Sequence, residues 1–423
     1  MNLAHAGQEK NIKIVTVNWI DIMAIGDYSE TFDIVPGVRL AATASGIKKQ
    51  GPDLVLMNCS EGSQVAGVFT TNWFAAAPVQ VCRDHLQKAE PAWFLVNSGN
   101  ANAATGQSGI DNAILSCKSL AAETESSVES VLPFSTGVIG ETLPVAKINA
   151  AMQGLVQQLD EGNWLEAARG IMTTDTRPKI GSRKLSFNDR EVVITGIAKG
   201  AGMIEPHMAT LLVFLATDAK IPREVLQRSL LAAVNKSFNR ITVDSDTSTN
   251  DSCMLIATGK SGVELEEGSE AMAEFQRALT ALCIELAQSI IKDAEGVSRF
   301  VEVSVEKGAN GAACLEVAYA IANSPLVKTA IFAGDANWGR IVMAIGKSAM
   351  PVDVQSVDLY LGDVCLMRQG QKAEDYTEAR GAKIMENEEI GIRVVLNAGE
   401  ASEKIWTTDL SYDYIKINAD YRT

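Results

Sequence analysis

From Phe32 onward, apolar residues come in short runs broken by Gly, Asn and Pro, the texture of strands that end in turns. Asp53–Met57, Val65–Thr70 and Trp93–Val96 are such runs. A different period follows. Val145, Ile148, Met152, Leu155, Val156 and Leu159 recur at three- and four-residue spacing after Pro144, and Val225, Leu226, Leu230 and Val234 do so after Pro222. Phe275, Leu279, Leu282, Leu286 and Ile290 form a third helical stripe, with Ser269 placed to cap it. Beyond Arg299 the pattern predicts strands again, over Phe300–Val305, Cys314–Ala320, Val357–Leu361 and Ile392–Leu396. Strand clusters alternating with amphipathic helices predict a layered α/β architecture. Residues 1–31 read as an appended leader or arm, 32–298 as the main α/β unit and 299–423 as a smaller C-terminal α+β domain.

Composition narrows the function. The 423 residues are 47% apolar and 21% charged, ordinary for a globular chain. Acidic residues outnumber basic ones by 52 to 37, a net charge of −15, which repels phosphate backbones and argues against a nucleic-acid or anionic-membrane partner. Only three histidines are present. His5 lies in the polar leader, His85 follows Arg83-Asp84 in an expected surface turn, and only His207 has a suggestive neighbourhood. No paired-His spacing supports a zinc site, and no Gly-x-Ser-x-Gly elbow supports a Ser-His-Asp triad. The seven cysteines are scattered, without a CxxC pair, and read as buried free thiols of a reducing compartment. Neither a secretory n-region with an unbroken apolar stretch nor an apolar run long enough to span a bilayer is found, so a cytoplasmic location is expected.

Candidate chemistry lies in polar segments. Gly346-Lys347-Ser348 looks like the end of a Walker A loop, but Ile341 stands where its first glycine belongs, so it reads as an ordinary turn. Asn97–Gly106 is unusually dense in Asn and Gly and reads either as a functional loop or as a turn stapled by its own amides. Ser135-Thr136-Gly137, between apolar runs, can aim a hydroxyl and backbone N–H groups at one point, as a tetrahedral oxyanion requires; a plain turn is the alternative. In Lys199–Ala216 a Gly-rich bend and a Pro deliver the chain to Thr210, at the head of a strongly apolar strand. The placement suits attack of the Thr210 hydroxyl on the Ala209 carbonyl, an N→O acyl shift and hydrolysis. The freed α-amine would then act as base for its own hydroxyl. From spacing alone, a threonine that merely begins a strand is the commoner reading.

Several motifs, in order, resemble the ornithine acetyltransferase family, the self-cleaving ArgJ acyltransferases of arginine biosynthesis. They are Gly67–Asn72, Asn97–Gly106, Ser135–Gly140, Met172–Thr176, Lys199–Thr210, Asp246–Asp251, Asn337–Arg340 and Asn418–Thr423. The resemblance implies a nucleophile at Thr210, cleavage between Ala209 and Thr210, and an oxyanion hole at Thr136 and Gly137. It implies substrate contacts at Thr173, Lys199, Thr210, Glu295, Asn418 and Thr423. Lys199 would offer a cation to a substrate carboxylate, and Glu295 an anion to an ornithine-type ammonium. The implied fold is a layered α/β sandwich of the N-terminal-nucleophile-like type with a smaller C-terminal domain. The implied reaction is ping-pong transfer of acetyl from N2-acetylornithine to glutamate by an α2β2 assembly, with no bound cofactor or metal. Acetyl-CoA enters as an alternative co-substrate that some members accept. Trp73, Ser245, Ala294 and Ala336 depart from common family residues without touching a matched catalytic position. An N-terminal-nucleophile amidase, passing the acyl group to water, and a non-catalytic amino-acid binder are the competing classes.

Overall fold

The computed structural model describes residues 24–187, 189–205 and 211–420. Ala209, Thr210 and Thr423, with His5, His207 and residues 1–23 of the expected leader, lie outside them.

The first eight strands are β1 (Val38–Thr43), β2 (Leu54–Cys59), β3 (Gln64–Phe69), β4 (Trp93–Asn100), β5 (Val131–Val138), β6 (Lys179–Phe187), β7 (Arg190–Lys199) and β8 (Leu212–Thr217). After them come β9 (Ile241–Thr242), β10 (Ser252–Ala257), β11 (Phe300–Gly308), β12 (Asp358–Leu361), β13 (Val364–Arg368), β14 (Gln371–Lys372), β15 (Glu389–Val395) and β16 (Ala401–Thr408). The helices are α1 (Ala77–Lys88), α2 (Gly106–Thr124), α3 (Val145–Gln157), α4 (Trp164–Ile171), α5 (Arg223–Lys236) and α6 (Glu270–Lys292). The C-terminal part adds α7 (Gly311–Ala322), α8 (Pro325–Phe332), α9 (Trp338–Gly346), α10 (Glu378–Ile384) and α11 (Tyr412–Ala419).

Two sheets, ordered β1-β2-β4-β5 and β3-β10-β8-β7-β6, face each other across one core and carry helices on their outer sides. β8 shows why its sequence is apolar throughout. Leu212, Phe214 and Ala216 pack toward Val55, Met57, Phe94 and Val96 of the first sheet, whereas Val213 and Leu215 pack toward α5 and α6. A strand covered on both faces needs no polar alternation. Phe214 closes the inter-sheet layer edge-on against Phe134, with ring centroids 5.1 Å apart, and Phe134 stacks on Phe94 at 5.9 Å. On the outer face of the first sheet, Leu54, Leu56 and Leu95 meet Leu120, Ile148 and Met152 of α2 and α3. The order of layers is helix, sheet, sheet, helix: the layered α/β class expected from the pattern.

The third sheet runs β14-β13-β12-β15-β11-β16-β9 and has its own apolar cluster with α7 and α9. Its edge strand β9 comes from before α6 and pairs parallel with β16. The helical stripes beginning at Val145, Val225 and Phe275 become α3, α5 and α6, and Ser269 caps α6 by accepting the Met272 N–H at 3.1 Å. Gly346 ends α9 and Lys347-Ser348 is a terminal turn. Two expectations fail. Cys314–Ala320 is helical, inside α7, with Cys314, Val317, Ala318 and Ile321 buried at helical spacing and Asn310 capping Ala313 N–H at 2.9 Å. A short apolar run does not by itself distinguish a buried helix from a buried strand. His85 is not in a surface turn but buried in α1, its Nδ1 2.7 Å from the Val131 carbonyl oxygen. Residues 25 and 26 of the expected leader are docked, with Ile25 N–H donating to Lys292 O and Arg177 donating to both their carbonyls. No helix among the described residues is long and apolar enough to cross a membrane.

Candidate active site

β5 ends beside β4 in parallel register, Ser98 opposite Thr136 and Gly99 opposite Gly137, with a shift at Asn100. Gly137 has φ +133°, and a Cβ there would lie 2.3 Å from the Gly99 carbonyl carbon and 2.6 Å from Asn100 N. A Cβ there could be accommodated only by moving backbone, so the position strongly favours glycine. The Asn-rich stretch builds this junction. Asn97 Nδ2 donates to Asn100 O at 2.8 Å, Ser135 Oγ to Asn97 Oδ1 at 2.6 Å, and Asn250 Nδ2 to Ala101 O at 2.6 Å and Ser135 O at 2.9 Å. Its amides are therefore committed to buried backbone and side-chain groups, and from this stretch only Ala101 lines the cavity described next.

A cavity of about 270 Å³ opens at this junction. It gathers Thr136 and Gly137 from β5, Thr173 and Thr174 from the loop after α4, Lys199 from the end of β7, Glu295 from just beyond α6 and Asn418 from α11. Six residues predicted from sequence thus share one space: Thr136, Gly137, Thr173, Lys199, Glu295 and Asn418. Larger grooves lie elsewhere, of about 480 Å³ beside Arg177 and about 860 Å³ beside Arg368, but they contain none of these six.

Lys199 is buried, and its Nζ donates to Thr173 Oγ1 at 2.9 Å and Thr136 Oγ1 at 3.2 Å. Because Thr136 Oγ1 accepts from a cation, its own O–H is oriented to donate elsewhere. Burial pushes the Lys199 ammonium below the ordinary lysine range; Asp175 opposes that shift, and Lys179, a like charge, adds to it. Glu295 is held at one end by its N–H, which donates to Ala201 O at 2.9 Å, and at the other by Asn418 Nδ2, which donates to Oε2 at 2.9 Å. Burial raises its carboxyl, and the hydrogen bonds from Asn418 and Thr174 work against that. Gly202 lets it in: a Cβ there would lie 2.5 Å from Glu295 Oε2.

Asp175, Lys179, Asp293 and Asp251 were not singled out from sequence. Asp175 accepts Thr173 N–H at 3.0 Å and Gly200 N–H at 2.7 Å, shaping both strips of chain that bring cations and hydroxyls to the cavity. Burial opposes its charge, yet Lys179 and Lys199 override that and hold the carboxyl well below the usual carboxylate range. Asp251 is fully buried; its Oδ1 accepts Leu211 N–H at 2.8 Å, and burial drives its carboxyl well above the ordinary range. Asp175 and Asp251 lie inside motifs already marked, Met172–Thr176 and Asp246–Asp251, which was the available signal.

The sequence model of the ArgJ family matches residues 39–423. The arginine biosynthesis bifunctional protein ArgJ of Pseudomonas fluorescens is 51% identical over 398 residues, covering 93% of this chain and 98% of that one. A crystal structure of arginine biosynthesis bifunctional protein argJ from Bacillus halodurans is 39% identical, covers 50% of this chain and 98% of its own, and has a TM-score of 0.47. That of ornithine acetyltransferase from Mycobacterium tuberculosis complexed with ornithine is 34% identical, covers 41% and 92%, and has a TM-score of 0.37.

Proposed function

The chain belongs to the ArgJ family, and from that premise we propose that it is an autoprocessing acyltransferase that moves acetyl from N2-acetyl-L-ornithine to L-glutamate. One observation carries the reading: a single cavity holds a lysine, a glutamate and the hydroxyls of Thr173 and Thr174, among others, around the Thr136–Gly137 junction. N2-acetylornithine bears a carboxylate and, four bonds from its α-carbon, an ammonium. Lys199 and Glu295 are the complementary charges, and Asn418 orients the carboxylate of Glu295.

In processing, the Thr210 hydroxyl adds to the Ala209 carbonyl, the C–N bond breaks to leave an ester and a free Thr210 amine, and water hydrolyses the ester to release the hydroxyl and the Ala209 carboxylate. In turnover, that amine takes the proton of its own hydroxyl as Oγ attacks the acetyl carbonyl. Thr136 and Gly137 receive the oxyanion, each donor worth about 3–4 kcal/mol by analogy with other acyl-transfer sites. Ornithine leaves with the proton on its α-nitrogen, and the glutamate amine takes the acetyl group from the ester. The bifunctional naming of the relatives extends the proposal to acetyl-CoA as a second donor to the same threonine. The two fragments would remain paired, as an α2β2 assembly of the cytoplasm.

Denaturing mass spectrometry tests the first step. The wild type should give two fragments and T210A the unbroken 45.2 kDa chain. Incubation with N2-acetylornithine tests the second: acetylglutamate should form only when glutamate is added. Acetate release indifferent to glutamate would assign the protein to the amidases instead.

A further inference from the structure

Lys179 is absent from the lining of the cavity, yet it sits at the centre of the only fully buried ion cluster among the described residues. Its three N–H donors are all used, on Asp175 Oδ1 at 2.7 Å, Asp293 Oδ2 at 2.6 Å and Arg177 O at 3.4 Å. Asp293 is the cap residue that ends α6, two positions before Glu295, and it also accepts from Thr176 N–H and Oγ1. Asp175 binds the backbone of Thr173 and of Gly200, the residue after Lys199. The cluster therefore ties together the three segments that deliver Thr173, Lys199 and Glu295.

The charges do not close within it. Lys179, Asp175 and Asp293 sum to one negative charge, and the next cation is Lys199, whose Nζ stands 4.0 Å from Asp175 Oδ2, outside hydrogen-bond reach. Lys199 spends two of its three donors on Thr136 and Thr173, and its side chain lines the cavity. We propose that Lys179 is a positioning residue for the acyl transfer: by taking Asp175 as its own counter-ion, it keeps the Lys199 ammonium on Thr136 and Thr173, available to a substrate carboxylate, instead of paired with Asp175. The inference rests on the function proposed above, in which Lys199 meets the substrate.

The groups acting on Lys199 are Asp175 from the loop after α4, Lys179 at the start of β6, Glu295 after α6, Asp251 before β10 and Lys48 from the loop after β1. Removing a like charge raises a lysine's pKa, and removing an opposite charge lowers it. K179M should therefore shift Lys199 upward and D175N downward. K179M leaves two buried carboxylates with too few cations and is at risk of misfolding. The double variant K179M/D293N keeps the cluster's net charge at one negative, with Lys199 the only lysine left within ion-pair distance of Asp175 among the described residues.

The test is the lysine 15Nζ titration of the folded protein, the Lys199 signal being the one lost in K199R, together with KM and kcat for N2-acetylornithine. K179M/D293N should move the Lys199 midpoint up and raise the donor KM about tenfold, on the scale of losing one hydrogen bond to a charged group, with a smaller change in kcat. D175N should move the midpoint down. A wild-type midpoint and KM in K179M/D293N, or shifts of the same sign in K179M/D293N and D175N, would overturn the inference. If the wild type transfers no acetyl from N2-acetylornithine, the proposed function falls by itself, and the titration still decides whether Lys179 governs Lys199.

Discussion

At Gly137 a single hydrogen atom separates a working junction from a collision. The position combines φ +133° with a neighbouring backbone 2.3 Å from any Cβ, so G137A must push β4 and β5 apart or rotate the residue out of line. Either response displaces the donors that would face an oxyanion. We expect G137A to fold, to lose roughly a hundredfold or more in acetyl transfer, and to remain largely unprocessed, as read by initial rates and denaturing mass spectrometry. Wild-type rates would remove Gly137 from the chemistry. At this scale the sequence was informative about residues that line the cavity and silent about those that hold them in place. Thr136, Gly137, Thr173, Lys199 and Asn418 stood inside recognisable motifs, Glu295 came from the family resemblance outside them, and the cavity brings all six together. Lys179 and Asp293 lie 114 positions apart along the chain. Nothing in local pattern announces a pairing that only the fold creates. The opposite lesson comes from Asn97–Gly106, where a polar texture that looked functional is committed to holding the β4–β5 junction together.

At the scale of elements, periodicity succeeded where polar residues mark the outer face of a helix and failed where that face is apolar too. α6 is amphipathic, and its stripe and cap were legible; α7 passes for a strand because its less buried face carries Leu315, Tyr319 and Ala320, so the run is apolar on both sides. His85 was misplaced for a related reason: polar neighbours, Arg83 and Asp84, masked the inward face of α1. The Ser269 cap gives a prediction that separates stability from chemistry. Its hydroxyl satisfies Met272 N–H at the far end of the helix from Asp293 and Glu295. S269A should lower stability by about 1 kcal/mol, seen as an earlier urea midpoint, while the KM and kcat of the folded enzyme stay within about twofold. A large change in KM would mean that helix fraying reaches the cavity.

At the scale of the whole molecule, the seven cysteines measure how tightly the layers close. All seven are free and buried, distributed over the cores of all three sheets. Burial raises the thiols of Cys59, Cys117 and Cys283 to about 12, and those of Cys82 and Cys253 are pushed well above the ordinary range. Unfolded thiols titrate near 8.5. Below that pH both states hold the proton and folding loses nothing. Between about 8.5 and 12 the unfolded chain releases protons that the folded one retains, so the thiols make stability fall with rising pH. The urea midpoint should therefore decline steadily from pH 8.5 to 11, and less steeply in a variant carrying C117A and C283A. Independently, a disulfide reagent at pH 8 should find no reactive thiol in the native protein and seven after denaturation, because buried thiols are shielded from attack. A flat midpoint, or native thiols reacting in whole-number stoichiometry, would mean that the sandwich opens far more readily than its packing implies.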